Sequence, residues 1–388
     1  MVKMNIDVLE RILDVSRRKE LYEPILSELK NLDGSDHFTT IFHETSEGII
    51  PVVFFNKDIS SNEIKAVKLF IGAQHNEYNG LFGILEVLKL LRNGEIPKQA
   101  IIDTHQVLVF LPLMNPYGFL NPRKDNKSGY YLKNGTNLNR FWRRVFILGF
   151  EGNETDLIEH PIPEHATFIK NLITPYWNNE EISIFIIDFH ETSLLGRFPK
   201  ELSLNLSVHY KFDHWLKESI IQNIIKLYDI KKNQTPLFIK CNNSADHSHL
   251  NLSYKLIEKV REKLFDYLSE NQGKLPFYFV HSKKSKEPCE QVGMIVNNKL
   301  SNILWKTALP VHDHEFHDHG CLVRMNDAAE RDNLYCIELE NQKQFFNIFE
   351  EREKAKEDSE YYPKKLATIN KTLELIKQTI IEVIYSVQ

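Results

Sequence analysis

Apolar residues recur three and four positions apart through the opening MVKMNIDVLERILDVSRRKELYEPILSELK, with charged residues between them. That is the spacing of a helix face turned toward a core, and it predicts a pair of amphipathic helices. From Gly48 the texture changes. GIIPVVFFN and AVKLFIGA are short runs rich in Val, Ile and Phe, which predicts strands buried on both faces. NGLFGILEVLKLLRNG, beginning at Asn79, returns to helical spacing, with an Asn to cap it and a Gly to end it. VLVFLPL (107–113), SIFIIDF (183–189), PFYFV and LYCIELE are further strand candidates; residues 212–230, 253–268 and the stretch from 364 onward read as helices. Buried strands alternating with helices define an α/β protein with a largely buried sheet. The stretch NPRKDNKSGYYLKNGTNLNR is too polar for a core and is expected to be a loop. No Gly-, Ser- or Pro-rich linker divides the chain. The expected organisation is a helical N-terminal appendage over 1–45 and one elaborated domain over 46–388.

Composition narrows the function classes. With 388 residues, 42% apolar and 11% aromatic, the chain can bury a large core, which excludes disorder along its length. Lys and Arg number 48 against 53 Asp and Glu, a net charge of −5, so the basic footprint of a nucleic-acid binder is missing. No run approaches the ~18 apolar residues of a membrane span, and the N-terminus has no uninterrupted apolar core of a signal peptide. Four scattered cysteines, Cys241, Cys289, Cys321 and Cys336, form neither a disulfide framework nor a CxxC pair. A reducing, cytoplasmic setting is therefore expected, with no membrane or nucleic-acid partner.

In open α/β sheets, ligands collect beyond the carboxyl ends of the strands. Gln74, His75, Asn76 and Glu77 follow AVKLFIGA; Asn115-Pro116-Tyr117-Gly118 follow VLVFLPL, with Arg123 soon after; His190-Glu191-Thr192 follow SIFIIDF. Three strands ending in oxygen and nitrogen donors point to one metal site assembled from distant segments. Asp188 precedes His190 by two, so on a strand both face the same way, and its carboxylate can accept the second ring N–H of the imidazole.

The ordered set QHNEYNG, NPYGF, NPRK, NLNRFW, IIDFHETS and LYCIELE resembles the zinc carboxypeptidase (carboxypeptidase A-like) family and its aspartoacylase and succinylglutamate desuccinylase relatives, over about 270 residues from 69 to 340. The family pattern is His-x-x-Glu after one strand, then Asn-Pro, an Arg, an Asn-Arg pair, a lone His after another strand and a late Glu. The resemblance implies a zinc carboxypeptidase-like α/β fold, a central mixed twisted sheet flanked by helices, and a bound Zn2+. Glu77 and His190 match two metal ligands. The third position, three before Glu77, holds Gln74 where the family has histidine. Either Gln74 ligates through its amide oxygen or His75 moves in by a local deletion; the spacing of three favours Gln74. Arg123 matches the arginine that stabilises the oxyanion, while Asn139 and Arg140 match the pair that grips a terminal carboxylate, with Asn137 where the family usually has Asp. The late glutamate is the general base. Glu340 fits the alternation of Tyr335, Ile337 and Leu339 before it, and Glu338 is the other candidate on the same face.

His312, His314, His317 and His319 are read as a solvated loop near the mouth of the site, with a second metal as the alternative. They lie in a stretch between His190 and Glu340 expected to carry an insertion around 195–330 that shapes the substrate pocket. The implied activity is zinc-dependent cleavage of a C-terminal amide bond, in a peptide that includes unusual ones such as a murein stem peptide. The alternatives are an N-acyl amino acid deacylase, suggested by DFHETS, and a metal-free carboxylate-binding protein. A peptide or an acyl amino acid is the expected partner.

Overall fold

The apolar runs become neighbouring strands of one sheet. The structure, a computed structural model, describes residues 2–125, 128–142, 145–146, 162–192, 275–282, 284–300, 303–310, 322–342, 344 and 348–386. The helices read at 212–230 and 253–268, most of the insertion, and the four histidines from His312 to His319 lie outside these residues. The strands are β1 (Phe38–Thr45), β2 (Gly48–Phe55), β3 (Ala66–Ile71), β4 (Gln106–Leu111), β5 (Ser183–Thr192), β6 (Leu275–His281), β7 (Ile303–Pro310) and β8 (Leu334–Gln342). Their spatial order is β1-β2-β4-β3-β5-β8-β6-β7. The central four, β4-β3-β5-β8, are parallel; β1, β2 and β4 pair antiparallel along one side, and β6 runs antiparallel to β8 on the other. The sheet is thus mixed, as expected from the sequence.

Two apolar layers follow from the two-residue alternation of each strand. Phe70, Phe110, Phe185, Ile187, Phe189, Ile337 and Leu339 point to one face. There they meet α1 (Ile6–Leu13), α2 (Lys19–Lys30), α3 (Tyr78–Asn93) and α4 (Tyr361–Ser386). Leu69, Ile71, Val109, Leu111, Ile184, Ile186 and Cys336 point to the other, covered by α5 (Glu164–Trp177) and α6 (Leu322–Ala328). Among the described residues no helix is long and apolar enough to cross a membrane.

Three details depart from the sequence reading. The helical segment at the N-terminus ends at Lys30, and residues expected to belong to it form the edge strand β1, whose eight residues pair with β2. Its helices also do not stand apart: Leu9, Ile12, Leu21, Ile25 and Leu29 are fully buried in the same core as the sheet. Helix α3 starts two residues earlier than an Asn79 cap would place it, after Glu77, and ends as expected at Gly94 in the left-handed region, φ 73°.

Candidate metal centre

β3 lies between β4 and β5 in the sheet, so the connection from β3 to β4 and the one from β4 to β5 run in opposite directions and cover opposite faces. This is the switch point where a crevice opens beyond the carboxyl ends of parallel strands. Gln74 to Glu77 leave β3 there, and His190 stands near the end of β5 beside it. In the β5–β8 register Asp188 pairs with Glu338 and His190 with Glu340. By alternation all four share the face of Ile184, Ile186, Leu334 and Cys336. Gln74, His75, Glu77, Asp188, His190, Glu338 and Glu340 are all buried.

His75, Glu77 and His190 bring one donor atom each to within 4.8 Å of one another. The His190 ring is held at both ends: Nδ1 lies 2.8 Å from Glu77 Oε2, and Nε2 lies 2.9 Å from Asp188 Oδ2. Burial opposes a charge on this imidazole, but the carboxylates of Asp188 and Glu77 outweigh it and lift its pKa well above the ordinary histidine value. The expected contact between Asp188 and the second ring nitrogen of His190 is therefore present in the geometry.

His75 is oriented from the polar loop. Its Nε2 lies 2.8 Å from Asn137 Oδ1, and its ring stacks on Tyr130 with centroids 4.2 Å apart. Asn137 Oδ1 also accepts the backbone N–H of Asn139 at 2.9 Å, so it is an acceptor, and the proton of a neutral His75 sits on Nε2. The Nδ1 lone pair is then left facing Glu77 Oε2, 3.6 Å away. This buried Nδ1 has no hydrogen-bond partner among the described residues. A buried, unpartnered nitrogen beside a carboxylate and a second imidazole fits a metal ion. Two imidazoles and one carboxylate are a donor set of catalytic zinc sites, which keep a fourth position open.

Gln74 sits beside this cluster and is engaged otherwise. Its amide donates to Asp188 Oδ2 at 2.7 Å and accepts the N–H of Asn139 at 2.7 Å, in the orientation that satisfies both ends. The spacing argument that ranked Gln74 above His75 assumes a regular turn. Ala73, with φ 21°, breaks that regularity just before Gln74, and His75 brings a ring nitrogen to Glu77 and His190 while Gln74 lies against Asp188 and Asn139 in the same cluster.

Asn139 also reaches the cluster: its Nδ2 lies 3.4 Å from Glu338 Oε1, and its Oδ1 accepts the N–H of Leu322 at 3.3 Å. Arg140 is half-buried, with Nη1 on the carbonyl of Asn139 at 2.7 Å. Arg123 is not brought in. Its side chain is 61% exposed and pairs with Asp125 at 3.3 Å. Asn137, which the sequence marked only as a departure near Arg140, orients His75 instead. Tyr130 and Asn341 had no periodic or motif signal that pointed to the site, and Glu191 was marked only as one of the polar residues at the end of its strand.

Fold and site together define an α/β protein with a buried His-Glu-His cluster that could hold a metal ion at the carboxyl ends of a mixed sheet. No family model matches the sequence, and no curated protein matches it. The solved structures it is similar to are carboxypeptidases and metallopeptidases. They include carboxypeptidase A from Helicoverpa armigera (11% identity, 95% of this chain and 73% of that one, TM-score 0.49). A metallo-carboxypeptidase from Burkholderia cenocepacia follows (11%, 93% and 68%, TM-score 0.45). A third is a metallo-carboxypeptidase from Pseudomonas aeruginosa in complex with (2-guanidinoethylmercapto)succinic acid (10%, 95% and 68%, TM-score 0.44).

Proposed function

We propose that this chain is a zinc-dependent amide hydrolase acting on substrates with a free carboxylate, a peptide's C-terminal bond being the first candidate. The observation that carries it is the buried His75 Nδ1, without a hydrogen-bond partner among the described residues and facing Glu77, with His190 and two buried glutamates alongside. In this reading His75, Glu77 and His190 hold the metal. Zinc in such a site supplies Lewis acidity, lowering the pKa of a water and polarising a carbonyl.

The remaining steps fall to side chains. Glu340, level with His190 across the strand pair, takes the proton from the attacking water and passes it to the leaving amine. Glu338, one pleat deeper, is the alternative base and is also held by Asn139. Asn137 and Asp188 keep the two imidazoles in orientation. Arg140 is assigned to the substrate carboxylate, which guanidinium binds bidentately. Arg123 serves the oxyanion only after leaving Asp125, and an exposed pair of that kind contributes less than about 1 kcal/mol, so a substrate's charge outweighs it. An N-acyl amino acid deacylase is the second reading, carried by the DFHETS run.

The test is incubation of the zinc-loaded protein with N-acylated tripeptides and with N-acyl amino acids. Chelator-sensitive release of the C-terminal residue is expected, reduced about 10²–10⁴-fold in Glu340→Gln with zinc retained. Free acid from acyl amino acids with tripeptides spared selects the deacylase; loss only in Glu338→Gln moves the base. No hydrolysis of either class with zinc bound overturns the enzyme reading in favour of a binding protein.

A further inference from the structure

His190 faces the metal cluster, and Glu191, the next residue of the strand, necessarily points to the opposite face. There its carboxylate is buried and accepts two backbone hydrogen bonds. Oε1 takes the N–H of Asn79 at 2.8 Å, and Oε2 takes the N–H of Gln344 at 2.8 Å. Asn79 lies two residues beyond Glu77, and Gln344 four beyond Glu340. One side chain, adjacent to His190, therefore ties together the three segments that carry the metal cluster and the glutamates.

A second set of contacts closes the same ring. Asn341 Nδ2 donates to the backbone carbonyl of His190 at 2.7 Å, and Asn79 Nδ2 donates to Asn341 Oδ1 at 3.3 Å. The approach of α3 that makes this possible depends on glycine: a Cβ on Gly80 would lie 2.8 Å from Phe189 Cβ. The carboxylate also lies against the first turn of the 16-residue helix α3, whose Asn79 N–H it accepts and where the helix dipole favours negative charge.

We propose that Glu191 is a positioning residue for the metal centre, fixing Glu77, His190 and the end of β8 relative to one another. The inference rests on the metal reading of the cluster given above. Charge-assisted bonds to backbone amides are stronger than neutral ones and hold the backbone itself. Their loss lets the donor segments shift, and zinc sites are sensitive to displacements of a few tenths of an ångström. A residue that only stabilises the fold lacks this effect on metal affinity.

Glu191→Gln keeps the shape but turns an amide NH2 toward one of the two N–H donors, so one tie is lost. Its zinc affinity is measured by competition with a chromophoric chelator, and its geometry by the visible spectrum of the cobalt-substituted protein. The expected result is about 10–100-fold weaker zinc binding with a changed cobalt spectrum. Val296→Ala, a core substitution in residues 286–299, controls for lost stability and is expected to stay within about twofold of wild type. Glu191→Asp keeps the charge but is one methylene too short to reach both amides, and gives the same two readouts if the glutamine variant does not fold. Wild-type affinity and spectrum in the folded Glu191 variant overturn the proposal while leaving the metal reading intact. A wild-type chain that takes up no zinc overturns both.

Discussion

At the scale of single residues the site turns on which atom holds which proton. Asn137 takes the Nε2–H of His75, and this leaves Nδ1 as a lone pair toward Glu77 and His190. Removing that acceptor frees the ring to rotate and to change tautomer. Asn137→Ala is therefore expected to weaken zinc binding about 10-fold or more, while Asn137→Asp, an ionised acceptor, tightens it. Chelator competition on the two variants checks this; equal affinities would show that Asn137 does not orient the ligand. The sequence made His190, Glu77 and Asp188 legible, because a strand's alternation and an ordered motif both constrain them. It ranks Gln74 above His75 on spacing alone, which presumes a regular backbone, and the positive φ of Ala73 that turns His75 toward Glu77 and His190 is not written in any local pattern. Tyr130 and Asn137 were hidden for a related reason: they lie in a polar loop whose course is set by distant partners.

At the scale of elements, the apolar runs were readable because β3, β4, β5 and β8 are covered on both faces. Strand β1 was not, since FTTIFHET is only half-buried along most of its length and lacks a continuous run. Helix α5 has no motif, yet it is firmly held. Arg331 donates to the carbonyls of Tyr176, Trp177, Asn179 and Ile182, satisfying the helix's C-terminal end and the turn that leads to β5. In the first turn of α5, His165 is buried with neither ring nitrogen partnered among the described residues. Burial pulls its pKa from 6.5 to about 4, Glu164 nearby only partly opposing this and His43 adding to it. The unfolded chain therefore binds this proton first as pH falls. The stability that neutral His165 contributes is fully present above about pH 6.5 and is lost toward pH 4, by up to about 3 kcal/mol. Denaturant unfolding of His165→Leu is expected to show a shallower loss over that range; an unchanged acid limb would assign it to other groups.

At the scale of the whole molecule, the N-terminal helices are built into the domain that carries the site. Arg18, fully buried, donates to the carbonyl of Ile12 at 2.7 Å, the hydroxyl of Tyr78 at 2.7 Å and the carbonyl of Phe119 at 3.0 Å. Tyr78 is the residue after Glu77, so the helices brace the backbone of a proposed metal ligand. A chain lacking residues 1–35 is expected to lose its cooperative thermal transition, because it exposes the apolar face that α1 and α2 cover; a sharp, wild-type-like transition would make those residues an appendage after all. The central claim, that His75, Glu77 and His190 hold a metal, is tested most directly by the zinc content of protein purified without chelators, beside His75→Ala and Gln74→Ala. The geometry calls for about one zinc per chain, lost in His75→Ala and kept in Gln74→Ala. Zinc absent from the wild type even after it is added back, or kept in His75→Ala, would contradict it.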